Sequence, residues 1–331
     1  MTVPRTPPFS ALGPGPEFDR IRRIAAALGG QAEGLGDDCA VLPAAGPRLV
    51  ASTDVSVEAV HFRRDWLSLE EIGWRAAVAA LSDLAADAAE AAGVLVALTS
   101  PGDAGDDEVV AVMAGAGAAA ADAGAVVVGG DLSAGPGWSV AVTVLGWADA
   151  PVTRVGARPG DNLWVTGRLG SPRAALEAWL RGGTPTDAAR RAFARPRPRL
   201  QAGRWLGRHG ARAMIDVSDG LAGDAAHLAA ASGVALALEL DLVPVTESAL
   251  EAAERAGLPP AQFAAESGEE YELLVVLPPD FDDDDVVAFR SAAGLPLTRV
   301  GEVRAGAGVL ATLGGRPVRL AGYDHVVGRR P

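Results

Sequence analysis

Hydrophobic positions recur at two different spacings along the chain, and the alternation between them predicts a mixture of helices and strands. In residues 17–28 the apolar side chains of Ile21, Ile24 and Ala25 share one helical face, and Gly29-Gly30 follows as a stop signal. Shorter valine-rich runs bounded by Gly and Pro have the character of strands. In the first half of the chain these runs lie at residues 40–42, 49–51, 55–60, 94–98, 125–128 and 139–145, with a helix predicted from about residue 106.

A longer helix is predicted over residues 68–92. It would open with a capping box, because Ser68 precedes Glu71 by three positions. Asp83 and Asp87, four positions apart, would then share one face of this helix. The order of elements, with strands of antiparallel appearance among helices, indicates a mixed α/β domain rather than a doubly wound parallel sheet.

The loop that carries Pro151, Arg154, Arg158 and Pro159 is the predicted domain boundary, and 331 residues suit two domains. Elements of the same kinds recur beyond it: strands at 162–166, 213–215, 234–240 and 272–277, and helices between 172 and 206, from 221 and around 248–256. We therefore expect a tail over residues 1–16, an N-terminal domain over 17–150 and a C-terminal α/β domain over 151–331.

Composition narrows the class of protein. Hydrophobic residues make up 49% and charged residues 21% of the chain, as in globular proteins. A formal net charge of −13 argues against nucleic acid as the main partner. Residues 1–16 lack the pattern of a signal peptide, and the apolar stretch 109–130 is interrupted by Asp122, so no membrane span is expected. Cys39 is the only cysteine, which excludes an intrachain disulfide; we expect a cytoplasmic protein.

Short acidic motifs carry the candidate chemistry. Each places a carboxylate beside a glycine or a small hydroxyl residue, at a predicted strand end or helix start. Hard divalent cations such as Mg²⁺ prefer such oxygen ligands. The chain contains no lysine, so the Gly-x-x-x-x-Gly-Lys-Ser/Thr phosphate loop is absent from it. The five motifs are Gly36-Asp37-Asp38, Ser52-Thr53-Asp54, Ser82-Asp83-Leu84, Gly129-Gly130-Asp131 and Asp216-Val217-Ser218-Asp219-Gly220.

A single motif of this kind more often caps a helix or shapes a turn than binds a metal ion. The five together favour several Mg²⁺ ions that share a polyphosphate. The predicted carboxylate ligands are Asp38, Asp54, Asp83, Asp131, Asp216 and Asp219, with hydroxyl groups from Ser52, Thr53 and Ser218 as further ligands or phosphate contacts. The acidic run 282–285 lacks such spacing and predicts only a solvated helix start.

Two further segments could contact a substrate. His61, at a predicted strand end, could contact a phosphate or a ring, although an ordinary structural role is the commoner one for an isolated histidine. In Gly268-Glu269-Glu270-Tyr271-Glu272-Leu273, three acids surround an aromatic residue at a strand start. Such a segment could bind a cationic or amino-bearing ligand.

In their order along the chain these motifs resemble those of the thiamine-monophosphate kinase family. The resemblance runs from about Glu17 to His325 and includes, besides the acidic motifs, a valine–histidine–phenylalanine sequence ending at Phe62. It also covers Thr153-Arg154, Gly156, Pro159-Gly160-Asp161, Ser267 to Leu273 and Gly322-Tyr323-Asp324-His325.

The resemblance implies a two-domain fold similar to aminoimidazole ribonucleotide synthetase and selenophosphate synthetase. Its N-terminal mixed sheet would pair across a homodimer, and the active site would lie in the cleft between the domains. The implied reaction transfers the γ-phosphoryl group of ATP to thiamine monophosphate without a catalytic side chain. Implied magnesium ligands are Asp38, Ser52, Thr53, Asp54, Asp83, Asp131, Asp216 and Asp219; implied ATP contacts are Gly130, Asp131, Arg154 and Ser218; implied substrate contacts are His61, Glu269 and Tyr323.

At four positions this chain differs from the family pattern. It has Asp87 where the family has Met, Leu132 where the family has Thr, Ala59 where the family has Gly, and Glu270 where the family has Asp. None removes a proposed metal carboxylate. The sequence leaves open the number of ions, a requirement for K⁺ and whether a dimer is obligatory. It also leaves open another acceptor, as in the synthetases, and a non-catalytic nucleotide or metal sensor; selenophosphate synthesis is disfavoured because Cys39 does not lie in a glycine-rich N-terminal segment.

Overall fold

The protein is described by a computed structural model that covers residues 16–32 and 48–320. These residues form two compact units. The N-terminal unit comprises the described residues up to Leu84 together with Glu90–Asp149, and the C-terminal unit comprises Ala85–Ala89 and the described residues from Ala150 onward. The predicted segment 40–42, Asp38 and Cys39, and Tyr323 all lie outside the described residues.

Helices and strands alternate in the N-terminal unit. Its elements are α1 (Pro16–Leu28), a short 3-10 turn (Gly29–Ala32), β1 (Arg48–Val57), α2 (Leu69–Ala86), β2 (Glu90–Pro101), α3 (Asp106–Asp122), β3 (Val126–Gly135) and β4 (Ser139–Ala148). The sheet has the order β1-β4-β2-β3. β2 and β3 are parallel, whereas β4 is antiparallel to both β1 and β2. This confirms the predicted mixed sheet.

The two faces of this sheet differ in character. Along β4, Val140, Val142 and Val144 are buried, while the residues between them are only partly buried. Helix α3 packs against β2 and β3 on the buried side. On the other side Leu49 and Val55 of β1 are 56% and 48% exposed. One face therefore forms the core of the unit, and the described elements of the unit leave the other face accessible.

Glycines allow α2 and α3 to cross at the backbone. A Cβ atom on Gly73 would lie 1.8 Å from the carbonyl oxygen of Val112, and one on Gly115 would lie 1.9 Å from that of Glu70. Neither position has room for a side chain. The close crossing fixes the position of α2, the helix that carries Asp83.

The C-terminal unit is built on a larger sheet. Its helices are α4 (Ser171–Leu180), α5 (Asp187–Ala194), α6 (Leu200–Arg208), α7 (Leu221–Ser232), α8 (Glu247–Ala256), α9 (Pro260–Ala265) and α10 (Asp283–Ala293), with a 3-10 turn at Leu240–Leu242. Its strands are β5 (Asn162–Thr166), β6 (Ala213–Asp216), β7 (Ala235–Glu239), β8 (Leu273–Leu277), β9 (Leu297–Arg304), β10 (Gly308–Leu313) and β11 (Arg316–Val318).

These strands pair in the order β11-β10-β7-β9-β5-β8-β6. Only β7 and β10 are parallel among the described pairs. The core lies where the central strands meet α7, and it includes Leu163, Leu228, Leu236, Leu274 and Val276. The pairing of β6 with β8 brings the ends Asp216 and Leu273 together, which places two candidate loops side by side.

Three differences from the predicted boundaries affect the candidate motifs. Segments 49–51 and 55–60 belong to one strand, because Ser52, Thr53 and Asp54 pair with β4 without interruption. The helix expected over 68–92 ends at Ala86, since the chain turns through Ala88 (φ 57°) and begins β2 at Glu90. Asp87 is therefore outside the helix, and its predicted shared face with Asp83 is wrong.

The third boundary is that of β3, which was expected to end at residue 128. The strand continues through the Gly129-Gly130-Asp131 motif to Gly135, because β2 continues beside it. The motifs at Ser52-Thr53-Asp54 and Gly129-Gly130-Asp131 thus lie within strands and not at strand ends. Asp83 likewise lies near the end of α2 and not at a helix start.

Two local predictions are confirmed. The backbone N–H of Ser68 donates to Glu71 and that of Glu71 to the Ser68 hydroxyl, at 3.0 and 3.2 Å, which is the capping box. Asp282 caps α10 by accepting from the backbone N–H groups of Asp284 and Asp285. In the described part of the chain no helix is long and apolar enough to cross a membrane.

Ala59 provides a test of local strain. It is exposed, and its φ of 65° lies in the left-handed region, which costs a residue with a Cβ about 1–2 kcal/mol. We expect Ala59→Gly to raise the free energy of unfolding by roughly 0.5–1 kcal/mol, after the added flexibility of the unfolded chain is subtracted. Denaturant unfolding measures this change.

The matched control is Ala118→Gly, at an exposed position inside α3. There the same substitution should lower the free energy of unfolding by about 1 kcal/mol, because glycine is a poor helix former. Destabilisation of similar size in both variants would contradict the strain assigned to Ala59.

Candidate functional site

Two predicted ligands of the N-terminal unit meet directly. Ser52 in the middle of β1 donates its hydroxyl hydrogen to Oδ2 of Asp83 on α2, at 2.5 Å. Hydrogen bonds from a hydroxyl to a carboxylate are short because the acceptor carries charge. Asp54 follows two residues later on β1 and therefore lies on the same face of the sheet as Ser52. The structure thus groups three of the predicted oxygen ligands on the face that also carries the helices.

Thr53 and Asp131 lie on the opposite face. Thr53 pairs with Thr143, and the two hydroxyl oxygens are 2.8 Å apart. Asp131 pairs with Ala97, in the row of the sheet that continues through Ala141 to Val55, and it is exposed. Residues in one row share a face, so the side chains of Thr53 and Asp131 are not brought to Ser52 and Asp83.

Gly130 is explained by the sheet itself. A Cβ atom at this position would lie 1.8 Å from the carbonyl oxygen of Val96 on the neighbouring strand β2. A side chain is excluded by this close approach, whatever else the residue does. The predicted contact of Gly130 with a nucleotide phosphate stays a prediction.

His61 lies in a tight turn after β1. The backbone N–H of Val57 donates to Nδ1 of His61 at 3.0 Å, and the backbone N–H of His61 donates to the carbonyl oxygen of Val57 at 2.9 Å. Because Nδ1 accepts a hydrogen bond, the proton of the neutral ring is assigned to Nε2. The turn therefore fixes both the position and the tautomer of the predicted substrate contact.

The C-terminal unit contributes a loop between β6 and α7. Asp216 ends β6, and Ser218 and Asp219 follow before α7 begins at Leu221. Asp224, in the first turn of α7, accepts the backbone N–H groups of Ser218 and Asp219 at 3.1 and 3.2 Å. Its side chain is buried.

Asp224 was not among the predicted site residues. Burial, together with the charges of Asp216 and Asp219, raises the pKa of Asp224 well above its ordinary value. The only sequence signal for a role of Asp224 was its position four residues after Gly220. That signal is weak, because the first turn of any helix favours acidic residues. The three carboxylates lie near enough to repel one another, and Asp224 holds the backbone of the loop that carries the other two.

A second loop, residues 268–272, lies against the first. The backbone N–H of Glu269 donates to the carbonyl oxygen of Ser218 at 2.6 Å, and that of Tyr271 donates to the carbonyl oxygen of Val217 at 2.9 Å. The N–H of Val217 in turn donates to the carbonyl oxygen of Glu272 at 2.7 Å. The structure therefore brings the predicted substrate contact Glu269 beside the predicted nucleotide contact Ser218.

This second loop is strained and anchored. Glu269 and Tyr271 have φ of 60° and 54°, in the left-handed region. Between them Glu270 is buried, and its Oε1 accepts the backbone N–H of Gly170 at 2.5 Å. Burial raises the pKa of Glu270 to about 8. Strained residues that persist in a loop fixed by its surroundings are common at functional sites.

Glu272 fixes the end of the same loop. Arg199, just before α6, binds the Glu272 carboxylate through Nη2 and Nε at 2.6 and 3.0 Å. The hydroxyl of Thr166 donates to Oε2 of Glu272 at 2.6 Å. Glu272 is buried, so this bidentate pair satisfies a carboxylate that would otherwise be costly in the core.

Arg154 is held elsewhere in the C-terminal unit. Its carbonyl oxygen accepts the hydroxyl of Ser232, the last residue of α7, at 2.8 Å. Ser218 and Asp219 precede the other end of this 12-residue helix. A helix of that length spans about 18 Å, so the unit does not bring the Arg154 backbone beside Ser218.

Among the described residues, no group of three His, Cys, Asp or Glu side chains is already arranged to hold a metal ion. The predicted ligand Asp38 and the predicted substrate contact Tyr323 lie outside those residues. Each unit therefore carries its own candidate group among the described residues: Ser52, Asp54 and Asp83 in the N-terminal unit, and the paired loops 216–220 and 268–272 in the C-terminal unit.

The fold and these loops define a class of protein. The model of the AIR synthase related protein, N-terminal domain, matches residues 36–148, and that of the AIR synthase related protein, C-terminal domain, matches residues 158–313. A curated thiamine-monophosphate kinase of Halobacterium salinarum is 38% identical over 283 residues, which cover 85% of this chain and 91% of the relative. The chain belongs to the thiamine-monophosphate kinase family within the AIR synthase related proteins.

Solved structures agree with this assignment. Thiamine-monophosphate kinase from Stenotrophomonas maltophilia has a TM-score of 0.79 and 33% identity, covering 92% of this chain and 98% of that one. A structure of AaThiL complexed with AMPPCP and TMP has a TM-score of 0.76 and 30% identity, covering 93% and 96%. The resemblance inferred from the motifs and the predicted fold are thereby confirmed.

Glu270 gives a test by pH. Its pKa is about 8 in the folded protein against 4.5 as the ordinary value, so folding takes up a proton between these limits. The stability that Glu270 contributes is full below about pH 4.5 and is lost as pH rises to about 8, with a slope of about 1.4 kcal/mol per pH unit at most. Glu270→Gln cannot take up this proton.

We therefore expect the free energy of unfolding of Glu270→Gln, relative to that of the wild type, to rise by ~2–4 kcal/mol between pH 5 and pH 8. Above pH 8 the difference between the two proteins should level off. Denaturant unfolding at several pH values measures the gap, and the contribution of Asp224 cancels because both proteins retain it. Parallel pH curves for the two proteins would contradict a neutral Glu270.

Proposed function

We propose that this protein transfers the γ-phosphoryl group of ATP to the phosphate of thiamine monophosphate, giving thiamine diphosphate and ADP. The observation that carries the proposal is the pairing of loops 216–220 and 268–272 in a member of this family. These loops put candidate nucleotide, metal and substrate contacts next to one another. The relative complexed with AMPPCP and TMP supports the same pair of ligands.

The chemistry suits a site without a catalytic base. An oxygen of the acceptor phosphate forms the new bond to the γ-phosphorus, and the bond from that phosphorus to the β–γ bridging oxygen breaks as ADP leaves. The acceptor oxygen is already largely deprotonated at neutral pH. Alignment of the two reactants and neutralisation of their charge are then the main requirements.

The donor set fits Mg²⁺. Carboxylates and hydroxyls are its preferred protein ligands, and it usually keeps positions for water and phosphate oxygens. Burial raises the pKa of Asp224 and the charges of Asp216 and Asp219 raise it further, and a cation near those two carboxylates would offset this second effect. We propose Asp38, Ser52, Asp54, Asp83, Asp216 and Asp219 as the residues that hold several ions. The other two predicted ligands, Thr53 and Asp131, lie on the opposite face of the sheet from Ser52 and Asp83, and their role stays a prediction. Bound Mg²⁺ would supply charge neutralisation between the two phosphorylated reactants.

The remaining assignments follow the family motifs. We propose that Gly130, Asp131, Arg154 and Ser218 contact ATP, and that His61, Glu269 and Tyr323 contact thiamine monophosphate. The hydrogen bond between the backbones of Ser218 and Glu269 supports the assignment of these two residues to neighbouring ligands. His61 presents an Nε2–H donor in the assigned tautomer, which suits a phosphate oxygen.

Turnover tests the proposal. With Mg-ATP the protein should convert thiamine monophosphate to the diphosphate and release ADP, and unphosphorylated thiamine should give no product because it lacks the acceptor phosphate. Asp54→Ala and Asp219→Ala should each reduce turnover by at least about a hundredfold, since a charge-stabilising group is lost. Their circular dichroism spectra should remain those of the wild type.

The matched controls are Asp122→Ala and Asp280→Ala, at exposed positions of the two units, which should keep wild-type turnover. Full activity in Asp54→Ala or Asp219→Ala would contradict their ligand role. A wild type that releases ADP only with another acceptor would support the synthetase alternative. ATP binding without ADP release for any acceptor would identify a sensor.

We also propose that the accessible face of the N-terminal sheet is covered by the same face of a second copy. This face carries the exposed side chains of Leu49 and Val55 beside the small residues Ala97 and Ala141. A sheet face of such partly apolar character is typically buried in an assembly. A symmetric dimer would bury two equal copies of it.

Light scattering after size-exclusion chromatography tests the dimer. Val55→Arg should shift the protein from twice the chain mass towards the monomer, because the proposed interface would then have to bury an added charge from each copy. Val287→Arg on α10, which is also an exposed valine, should leave the mass unchanged. A monomeric wild type would rule the dimer out.

A further inference from the structure

Glu270 stands between two strained residues. Glu269 and Tyr271 both have φ in the left-handed region, at 60° and 54°, and neither is glycine or asparagine. An isolated loop would relax from such a conformation. The surroundings of residues 268–272 must therefore hold it.

Backbone hydrogen bonds supply the first restraint. The N–H groups of Glu269, Glu270 and Tyr271 donate to the carbonyl oxygens of Ser218 and Val217, at 2.6 to 3.1 Å. Gly268 completes the contact, since a Cβ atom there would lie 2.8 Å from the carbonyl oxygen of Ser218. These contacts join the two loops to each other, and Arg199 and Thr166 hold the end of the second loop through Glu272.

The Glu270 side chain attaches the loop to a different element, the start of α4. Its Oε1 accepts the N–H of Gly170, the residue before α4, at 2.5 Å. Glu270 is buried, and its neighbour Ser267 in the sequence is fully buried. A buried carboxyl costs more than an apolar side chain of the same size, so packing alone does not account for it.

We propose that Glu270 is a positioning residue: its buried carboxyl, bonded to Gly170, holds Glu269 where it meets the cationic or amino-bearing part of the phosphorylated acceptor. The inference rests on the proposed function and deepens it. Glu270 touches neither reactant in this arrangement. Glu269 acts on the acceptor, and Glu270 acts through Glu269.

Kinetics of two substitutions test the inference. Glu270→Gln keeps an acceptor oxygen for the Gly170 N–H at the same length, whereas Glu270→Ala removes it. We expect Glu270→Ala to raise KM for thiamine monophosphate about tenfold and KM for ATP by less than about threefold, and Glu270→Gln to leave both close to the wild type. Rescue by glutamine separates anchoring by the hydrogen bond from a need for charge.

Asp161→Asn is the matched control. Asp161 is a buried acid of the same unit that accepts the backbone N–H of Arg158 and pairs with Arg212, and it does not belong to either loop. Its substitution should leave KM for thiamine monophosphate unchanged. A wild-type KM in Glu270→Ala, or an equal rise in KM in Glu270→Gln and Asp161→Asn, would overturn the inference.

Hydrogen exchange in the protein without substrates gives a readout independent of activity. The amides of Gly170 and Glu269 should exchange at least about tenfold faster in Glu270→Ala than in the wild type and at the wild-type rate in Glu270→Gln. Unchanged exchange in Glu270→Ala would overturn the anchoring. A wild type that does not phosphorylate thiamine monophosphate, with exchange as expected, would refute the proposed function and leave the anchoring of the loop supported.

Where Glu270→Ala does not fold, Glu270→Gln keeps the inference testable. Wild-type exchange and a wild-type KM in that variant support anchoring by a neutral acceptor oxygen. Faster exchange or a raised KM in it would overturn the inference.

Discussion

The burial of one carboxyl group beside two others is the constraint around which the candidate site of the C-terminal unit is organised. Burial raises the pKa of Asp224, and Asp216 and Asp219 lie close enough that their charges raise it further. The protein holds them in place through the backbone: Asp224 accepts two N–H groups of the loop that carries its neighbours. A loop held in this way would need little reorganisation when the proposed cations and phosphates bind.

In the N-terminal unit, the position of the candidate ligands depends on the close packing of two helices rather than on charge. Asp83 meets Ser52 because α2 lies close to the sheet, and α2 is fixed by its crossing with α3 at Gly73 and Gly115. Any side chain at either glycine would push the helices apart. A 2.5 Å hydrogen bond between β1 and α2 tolerates little displacement, so a change far from any ligand would reach the site through the helix crossing.

Sequence patterns predicted elements well wherever the determining contacts are local. The Ser68–Glu71 capping box, the Asp282 cap and the strand Asn162–Thr166 involve residues within a few positions of each other or one uniform apolar run. Boundaries set by a partner strand were missed. β1 and β3 continue through polar and glycine motifs only because β4 and β2 pair with them, and no local pattern encodes that pairing. Asp224 was missed for a related reason, since an acid in a first helical turn is common.

The five acidic motifs also show that residues adjacent in a motif need not lie together in the structure. Adjacent residues on a strand point to opposite faces, so Thr53 is separated from Ser52 and Asp54 although the motif presents them together. In a loop the backbone turns, and neighbours can converge: Ser218 and Asp219 both donate to Asp224, and Ser218 accepts the backbone N–H of Glu269 from a segment far away in the sequence. The difference arises from the backbone on which each motif lies. The left-handed backbone at Glu269 and Tyr271 is a further example, since no pattern of residue types at these positions would predict a strained backbone.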